Sequence, residues 1–162
     1  MVRMLKTKLR AWFFGRSKVL GDLFSSKAPS ALKHWPQPSV GHVLVVDDQE
    51  VSRRIAGILL QSMGYRVSYA ENGVQALALA KRGGFDLVLM DIHMPLMDGL
   101  TCARHIRALP TPCSLVPIVA LTADLNDRFV KQAKMAGMQQ VLSKPLQKSL
   151  LFPLMPEKNK NP

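Results

Sequence analysis

The sequence predicts an α/β domain, a doubly wound sheet of five parallel strands in the spatial order 2-1-3-4-5. Three observations carry that prediction. Short apolar runs begin near residues 42, 66, 85, 117 and 140. Stretches of helical periodicity separate them, and such alternation implies a parallel sheet with helices on both faces. Four of the five runs end in a polar group: Asp47-Asp48, Asp91, Thr122 and Lys144. In this architecture the strand ends converge on one edge, where ligands and chemistry collect.

The chain opens with a basic arm, residues 1–24. Val2, Leu5, Leu9 and Phe13 fall at helical spacing, with Lys6, Lys8 and Arg10 between them, a basic amphipathic pattern. Three roles are open to it: a solvated extension, a helix that docks on a membrane surface or partner, or a nucleic-acid arm, which rests on charge alone. No apolar segment of signal-peptide length follows the charges. Residues 25–41, rich in Ser, Pro and Lys, read as a linker.

The folded part, residues 42–152, starts at His42. Val43 to Val46 is a short apolar strand ending in Asp47-Asp48. A helical period follows from Val51, with Ile55, Ile58, Leu59 and Met63 on one face and Gly64 as its stop. Arg66 to Ala70 alternates like a more exposed strand, and Asn72-Gly73 turns the chain. Val74 to Lys81 is a second helix, closed by Gly83-Gly84. The apolar run from Phe85 is a strand buried on both faces that stops abruptly at Asp91. Pro95 cannot continue a ladder, and Asp98-Gly99 is a turn signal. A third helix is expected from about Leu100 to Leu109, stopped by Pro110 and Pro112. Val116 to Leu121 is the fourth strand, ending at Thr122. Asn126 can cap a fourth helix to Ala136, before Gly137. Gln140-Val141-Leu142 is the fifth strand, and Lys144-Pro145 follows. The last helix, Leu146 to Phe152, is truncated at Pro153, and residues 153–162 read as a disordered tail.

At 162 residues the chain has room for one domain with a substantial core. Its longest apolar runs are strand-sized, well short of a membrane span. Cys102 and Cys113 show no metal-ligand spacing with the four histidines, which argues against a disulfide framework or a zinc site. Residues 1–40 carry eight basic residues against one acid, Asp22, so most of the net charge of +11 sits on the arm and says little about the domain. Neither a Gly-rich nucleotide loop nor a phosphodonor-histidine helix is evident, which argues against a kinase, and no segment has the size of an output or helix-turn-helix domain.

Asp91 at the end of a buried strand reads as a nucleophile. Three carboxylates on one sheet edge cannot stand unpaired, because like charges ~4 Å apart at an effective dielectric near 20 repel by about 4 kcal/mol. Either one acid is protonated or a cation is present. Oxygen donors without Cys or His suit a hard ion such as Mg²⁺. Acids that hold such an ion, beside a lysine and a threonine hydroxyl, suit the binding of a phosphoryl group, and carboxylates serve as phosphoryl acceptors. Taken singly, Asp48 reads as well as a helix cap, Thr122 as a turn residue and Lys144 as a solvated cation. Together, in this order, they read as a site.

These residues make the sequence similar to a known family. It resembles the receiver domain of two-component response regulators over about residues 42–148. The resemblance rests on Val45-Val46-Asp47-Asp48, on Met90-Asp91-Ile92-His93-Met94-Pro95 with Asp98-Gly99, on Ala120-Leu121-Thr122-Ala123, and on Ser143-Lys144-Pro145. It implies a flavodoxin-like fold. It makes Asp91 the phosphoacceptor and Mg²⁺ the cofactor, held by Asp48, Asp91, Asp47 and the main-chain carbonyl of His93. Thr122 becomes the switch hydroxyl and Lys144 the cation that pairs with the phosphoryl group, aimed inward by a cis Lys144–Pro145 bond. His93 and Asp124 occupy positions that tune phosphoryl lifetime in the family. Within it, the motifs look most like receivers attached to hybrid sensor histidine kinases.

The implied function is that of a phosphoacceptor in a phosphorelay. It would catalyse its own aspartyl phosphorylation and dephosphorylation, with a histidine kinase or histidine phosphotransfer protein upstream and a protein target downstream. The implied location is cytoplasmic, peripheral to a membrane if the arm docks there. Two departures from the family stand out: Val141 replaces the usual aromatic three residues before the lysine, and the last helix is short. The short last helix and the basic arm support an alternative, a non-catalytic interaction module or the remnant of a hybrid-kinase receiver with impaired switching.

Overall fold

The computed structural model describes residues 40–154. The basic arm, residues 25–39 of the linker and the tail beyond Leu154 lie outside the described residues, and so do the expectations placed on them. The strands are β1 (His42–Val46), β2 (Arg66–Ala70), β3 (Leu87–Asp91), β4 (Ile118–Thr122) and β5 (Gln140–Ser143). The helices are α1 (Glu50–Ser62), α2 (Gly73–Ala80), α3 (Gly99–Arg107), α4 (Asp127–Met135) and α5 (Lys148–Leu151). All strand pairs are parallel, in the order β2-β1-β3-β4-β5, as the sequence predicts.

The sheet splits the core in two, because successive side chains on a strand face opposite ways. Leu44, Val46, Val88, Met90, Ile118 and Ala120 face α2, α3 and α4. Val43, Val45, Leu87, Leu89, Val119 and Leu121 face α1 and α5. β3 and β4 are buried over their whole length, which explains their unbroken apolar runs.

Local chemistry sets most helix ends. Asn72, Asp98 and Asn126 each cap a helix by accepting from the backbone N–H three residues on. Asp98 also accepts from the Thr101 hydroxyl. Burial works against its charge, but these bonds outweigh it and hold the carboxyl below its ordinary range. Gly83 and Gly84, both at positive φ, end the turn after α2. Val40 and Gly41 already join the fold, the former donating to the Gly64 carbonyl and the latter accepting from Arg66 N–H.

Two expectations change, and the alternative reading of Asp48 as a helix cap falls away. The face of α1 is rotated: Ile55 and Ile58 are 49% and 66% exposed, and Ala56, Gly57 and Leu60 make its buried face. Gly57 is what permits this, since a side chain there would strike the Tyr69 ring and hydroxyl. Asp48 does not cap α1; the cap position falls on Gln49, which makes no side-chain cap bond. α5 is a single turn followed by a 3₁₀ turn, Phe152–Leu154, so the truncation is more severe than the expected seven residues. Leu151 from that turn is nonetheless fully buried.

Candidate functional site

At the carboxyl edge of the sheet, β1, β3 and β5 deliver Asp47, Asp91 and Lys144 to one point. The Lys144 ammonium donates to Asp47 Oδ2 at 2.6 Å and to Asp91 Oδ2 at 2.7 Å. These acids are 1% and 4% exposed, so the lysine bridges two nearly buried carboxylates. The Lys144–Pro145 peptide bond is cis, as expected. Backbone amides hold the remaining oxygens: Gln49 N–H donates to Asp47 Oδ1 at 2.9 Å, and His93 N–H to Asp91 Oδ1 at 3.2 Å.

Asp48 completes the acidic cluster. One carboxylate oxygen each from Asp47, Asp48 and Asp91 lies within 4.8 Å of the others. Asp48 is exposed, and among the described residues its carboxylate makes no hydrogen bond or ion pair. The three acids and Lys144 line a cleft of about 520 Å³, walled by Ile55, Ala56, Leu121 and Pro145.

Burial pushes the Asp91 carboxyl above its ordinary range, against the opposing pull of Lys144. Burial would also lower the lysine, but its hydrogen bonds to Asp47 and Asp91 together win and raise it. The cation therefore stays charged at neutral pH, and the acids keep a built-in counterion.

Thr122 is fully buried at the end of β4. Its hydroxyl donates to the Asp124 carbonyl at 3.0 Å and accepts from Asp124 N–H at 3.2 Å, so it serves the loop rather than Asp91. The Asp124 carboxylate accepts from Asn126 Nδ2 at 2.8 Å, which ties it to the cap of α4. His93 sets its ring edge-on to Phe129 of α4, with centroids 5.4 Å apart. Thus the residues singled out in the sequence gather at one edge, but Thr122 and Asp124 bond to each other and to Asn126 rather than to the Lys144 bridge.

Sequence reasoning passed over three residues. Arg53 donates to the Asp47 and Asp48 carbonyls. Gly99 lies so close to Asp91 that a Cβ would collide with the aspartate's carbonyl oxygen. Phe129 carries the contact to His93. Gly99 was legible only as part of the Asp98-Gly99 turn, and none of the three carried a local signal of its role at the site. Cys102, also buried, is pushed up to about 12 by desolvation, which fits an inert core thiol.

The donor set suits Mg²⁺: clustered carboxylate oxygens, an open cleft and no soft ligand. Residues 43–154 match the family model of the response regulator receiver domain. The chain is 43% identical over 136 residues to the sensor histidine kinase AruS of Pseudomonas aeruginosa, covering 83% of this chain and 13% of that protein. It is 40% identical over 117 residues to hybrid signal transduction histidine kinase M of Dictyostelium discoideum, covering 70% and 5%. It thus spans only a small part of these curated relatives. Among solved structures, it is similar to the receiver domain of a Pseudomonas aeruginosa sensor histidine kinase with a magnesium ion in its active-site cleft. That likeness has a TM-score of 0.65 at 35% identity, over 70% of this chain and 93% of that one. It is also similar to a Saccharomyces cerevisiae receiver, from the response regulator Ssk1, co-crystallised with the histidine phosphotransfer protein Ypd1. There the TM-score is 0.63 at 29% identity, over 70% and 84% of the chains. With a family match over residues 43–154, most of its length, the chain belongs to the receiver domains of two-component response regulators.

Proposed function

We propose that this receiver takes a phosphoryl group onto Asp91 and signals by protein contact. The observation that carries the reading is the Lys144 bridge between Asp47 and Asp91 at the rim of an open cleft. An Asp91 carboxylate oxygen attacks phosphorus as the P–N bond of a phosphohistidine breaks. The imidazole leaves with the electron pair and takes up a proton. The donor is a histidine kinase or a histidine phosphotransfer protein; the yeast co-crystal is a precedent for such a pairing.

Asp47, Asp48, Asp91 and the His93 carbonyl would hold Mg²⁺, which supplies charge neutralisation at the phosphoryl oxygens. Lys144 is already charged and directed at Asp91, so it can turn to a phosphoryl oxygen without first acquiring a proton. Thr122 must give up its bond to the Asp124 carbonyl to reach the same group, which would remodel the loop before α4. His93 and Asp124 flank that path and are the residues proposed to set phosphoryl lifetime. Residues 1–24 remain a proposed contact to a membrane surface or partner, with the protein otherwise in the cytoplasm.

The test is intact mass spectrometry after incubation with Mg²⁺ and a small phosphodonor such as acetyl phosphate. One phosphate adduct is expected on the wild type and none on Asp91→Asn. No adduct on the wild type, or one that survives the substitution, refutes the reading and favours a non-catalytic interaction module, to which the one-turn α5 would be suited.

A further inference from the structure

Two consecutive arginines on α1 have opposite surroundings. Arg54 is 75% exposed at its side chain and pairs with Glu50 at 2.9 Å, an ordinary surface pair between helix neighbours. Arg53 is 13% exposed at its side chain. Its guanidinium turns back over the start of its own helix. Nη1 donates to the Asp47 carbonyl at 2.7 Å and to the Asp48 carbonyl at 3.0 Å. Nη2 lies 3.8 Å from Glu71, just beyond β2. One side chain therefore joins α1, the segment after β2 and the backbone of two acids.

That attachment matters more for Asp48 than for Asp47. Asp47 is held through its own carboxylate by Lys144 and Gln49 N–H. The Asp48 carboxylate has no hydrogen bond among the described residues, so its reach toward the cluster starts from the Cα–Cβ direction that its backbone sets. Arg53 grips that backbone. Groups that orient metal ligands without touching the metal commonly change affinity by ~10–100-fold when removed.

We infer that Arg53 is a positioning residue for cation binding: by clamping the Asp47 and Asp48 carbonyls it holds the Asp48 carboxylate where it meets Asp47 and Asp91. This rests on the reading above that those acids hold Mg²⁺. The clamp acts on how readily the ion binds, not on the transfer step that follows.

The experiment is a Mg²⁺ titration of the full chain by isothermal calorimetry, paired with phosphorylation rates across the same Mg²⁺ range. Arg53→Ala is expected to weaken Mg²⁺ binding by about tenfold, while its rate at saturating Mg²⁺ stays within about twofold of wild type. Arg53→Lys keeps the charge but lacks the fork, and should lose several-fold. Arg54→Ala removes the same charge from the neighbouring position and should bind like wild type. If Arg53→Ala binds Mg²⁺ as the wild type does, or if Arg54→Ala loses as much, the positioning role is overturned. A lower rate at saturating Mg²⁺ with unchanged affinity overturns it too. Should Arg53→Ala not fold, Arg53→Lys decides alone, with wild-type affinity as the refuting result. A wild type that binds no Mg²⁺ overturns the functional reading, and this inference with it.

Discussion

Lys144→Met removes the cation between two buried acids and keeps most of the side chain's apolar stem. In the wild type the ammonium is 2.6 and 2.7 Å from Asp47 and Asp91. Without it, carboxylates that lie within 4.8 Å of each other face across a site where both residues are nearly inaccessible. At that separation and an effective dielectric of 20, their repulsion is about 3.5 kcal/mol. Breaking a buried pair by removing one partner typically costs about 3–5 kcal/mol, so the two routes agree. One acid can escape by taking a proton, at about 1.4 kcal/mol per pH unit above an unperturbed pKa near 4. At pH 7.5 that escape costs about 5 kcal/mol and is no bargain; at pH 5 it costs about 1.5. Lys144→Met should therefore destabilise the Mg²⁺-free protein by about 3 kcal/mol at pH 7.5 and by about 1.5 at pH 5. The sign follows: a carboxyl whose folded pKa is raised contributes stability at low pH and loses it as pH rises. Urea unfolding followed by circular dichroism in chelator, at both pH values, measures the difference. A loss below about 1 kcal/mol at pH 7.5, or an equal loss at both, refutes the bridging role.

Asp91 itself is raised by burial, so the fold penalises its ionised form. Asp91→Asn should stabilise the Mg²⁺-free protein, with a gain that grows from about pH 4 upward, over the window between the unfolded and the raised folded pKa; a gain that shrinks with pH in urea titrations contradicts this. Gly99→Ala drives a methyl group into the Asp91 carbonyl oxygen, a backbone atom that cannot swing away. We expect a loss of about 2 kcal/mol or more in thermal melts, together with slower phosphorylation; wild-type values for both would show that the α3 start can shift freely. Asn126→Ala removes the cap of α4 and the bond to Asp124, and should cost about 1 kcal/mol. A change in phosphoryl lifetime is expected beside it, measured by following the adduct's decay; an unchanged lifetime would detach the Asp124 network from the switch.

Strand and helix order, and the acids and lysine at the strand ends, were legible because their signals are local. A buried strand is a short apolar run, a cap is one residue, and a parallel sheet sends every strand end to the same edge. That is why Asp47, Asp91 and Lys144 could be placed together from residues as far as 97 apart in the chain. Other features depended on which surfaces meet. Ile55 and Ile58 have the spacing of a core face, yet α1 buries Ala56, Gly57 and Leu60, because Gly57 seats the helix against Tyr69 of β2. Within α1, only the i,i+4 spacing of Glu50 and Arg54 separates Arg54 from Arg53. The acids' carbonyls and Glu71 draw one inward, and Glu50 keeps the other at the surface. His93 and Phe129 touch only because the loop after β3 lies against the first turn of α4. Sequence alone therefore determined the sheet, its edge and the chemistry that edge can hold, since each follows from periodicity and from residue type at a strand end. Tertiary structure decided how α1 is turned, which arginine braces the acids and what Thr122 bonds. The first rests on a contact between separate elements, Gly57 against Tyr69, and the other two on bonds within a few residues whose choice of partner periodicity does not encode.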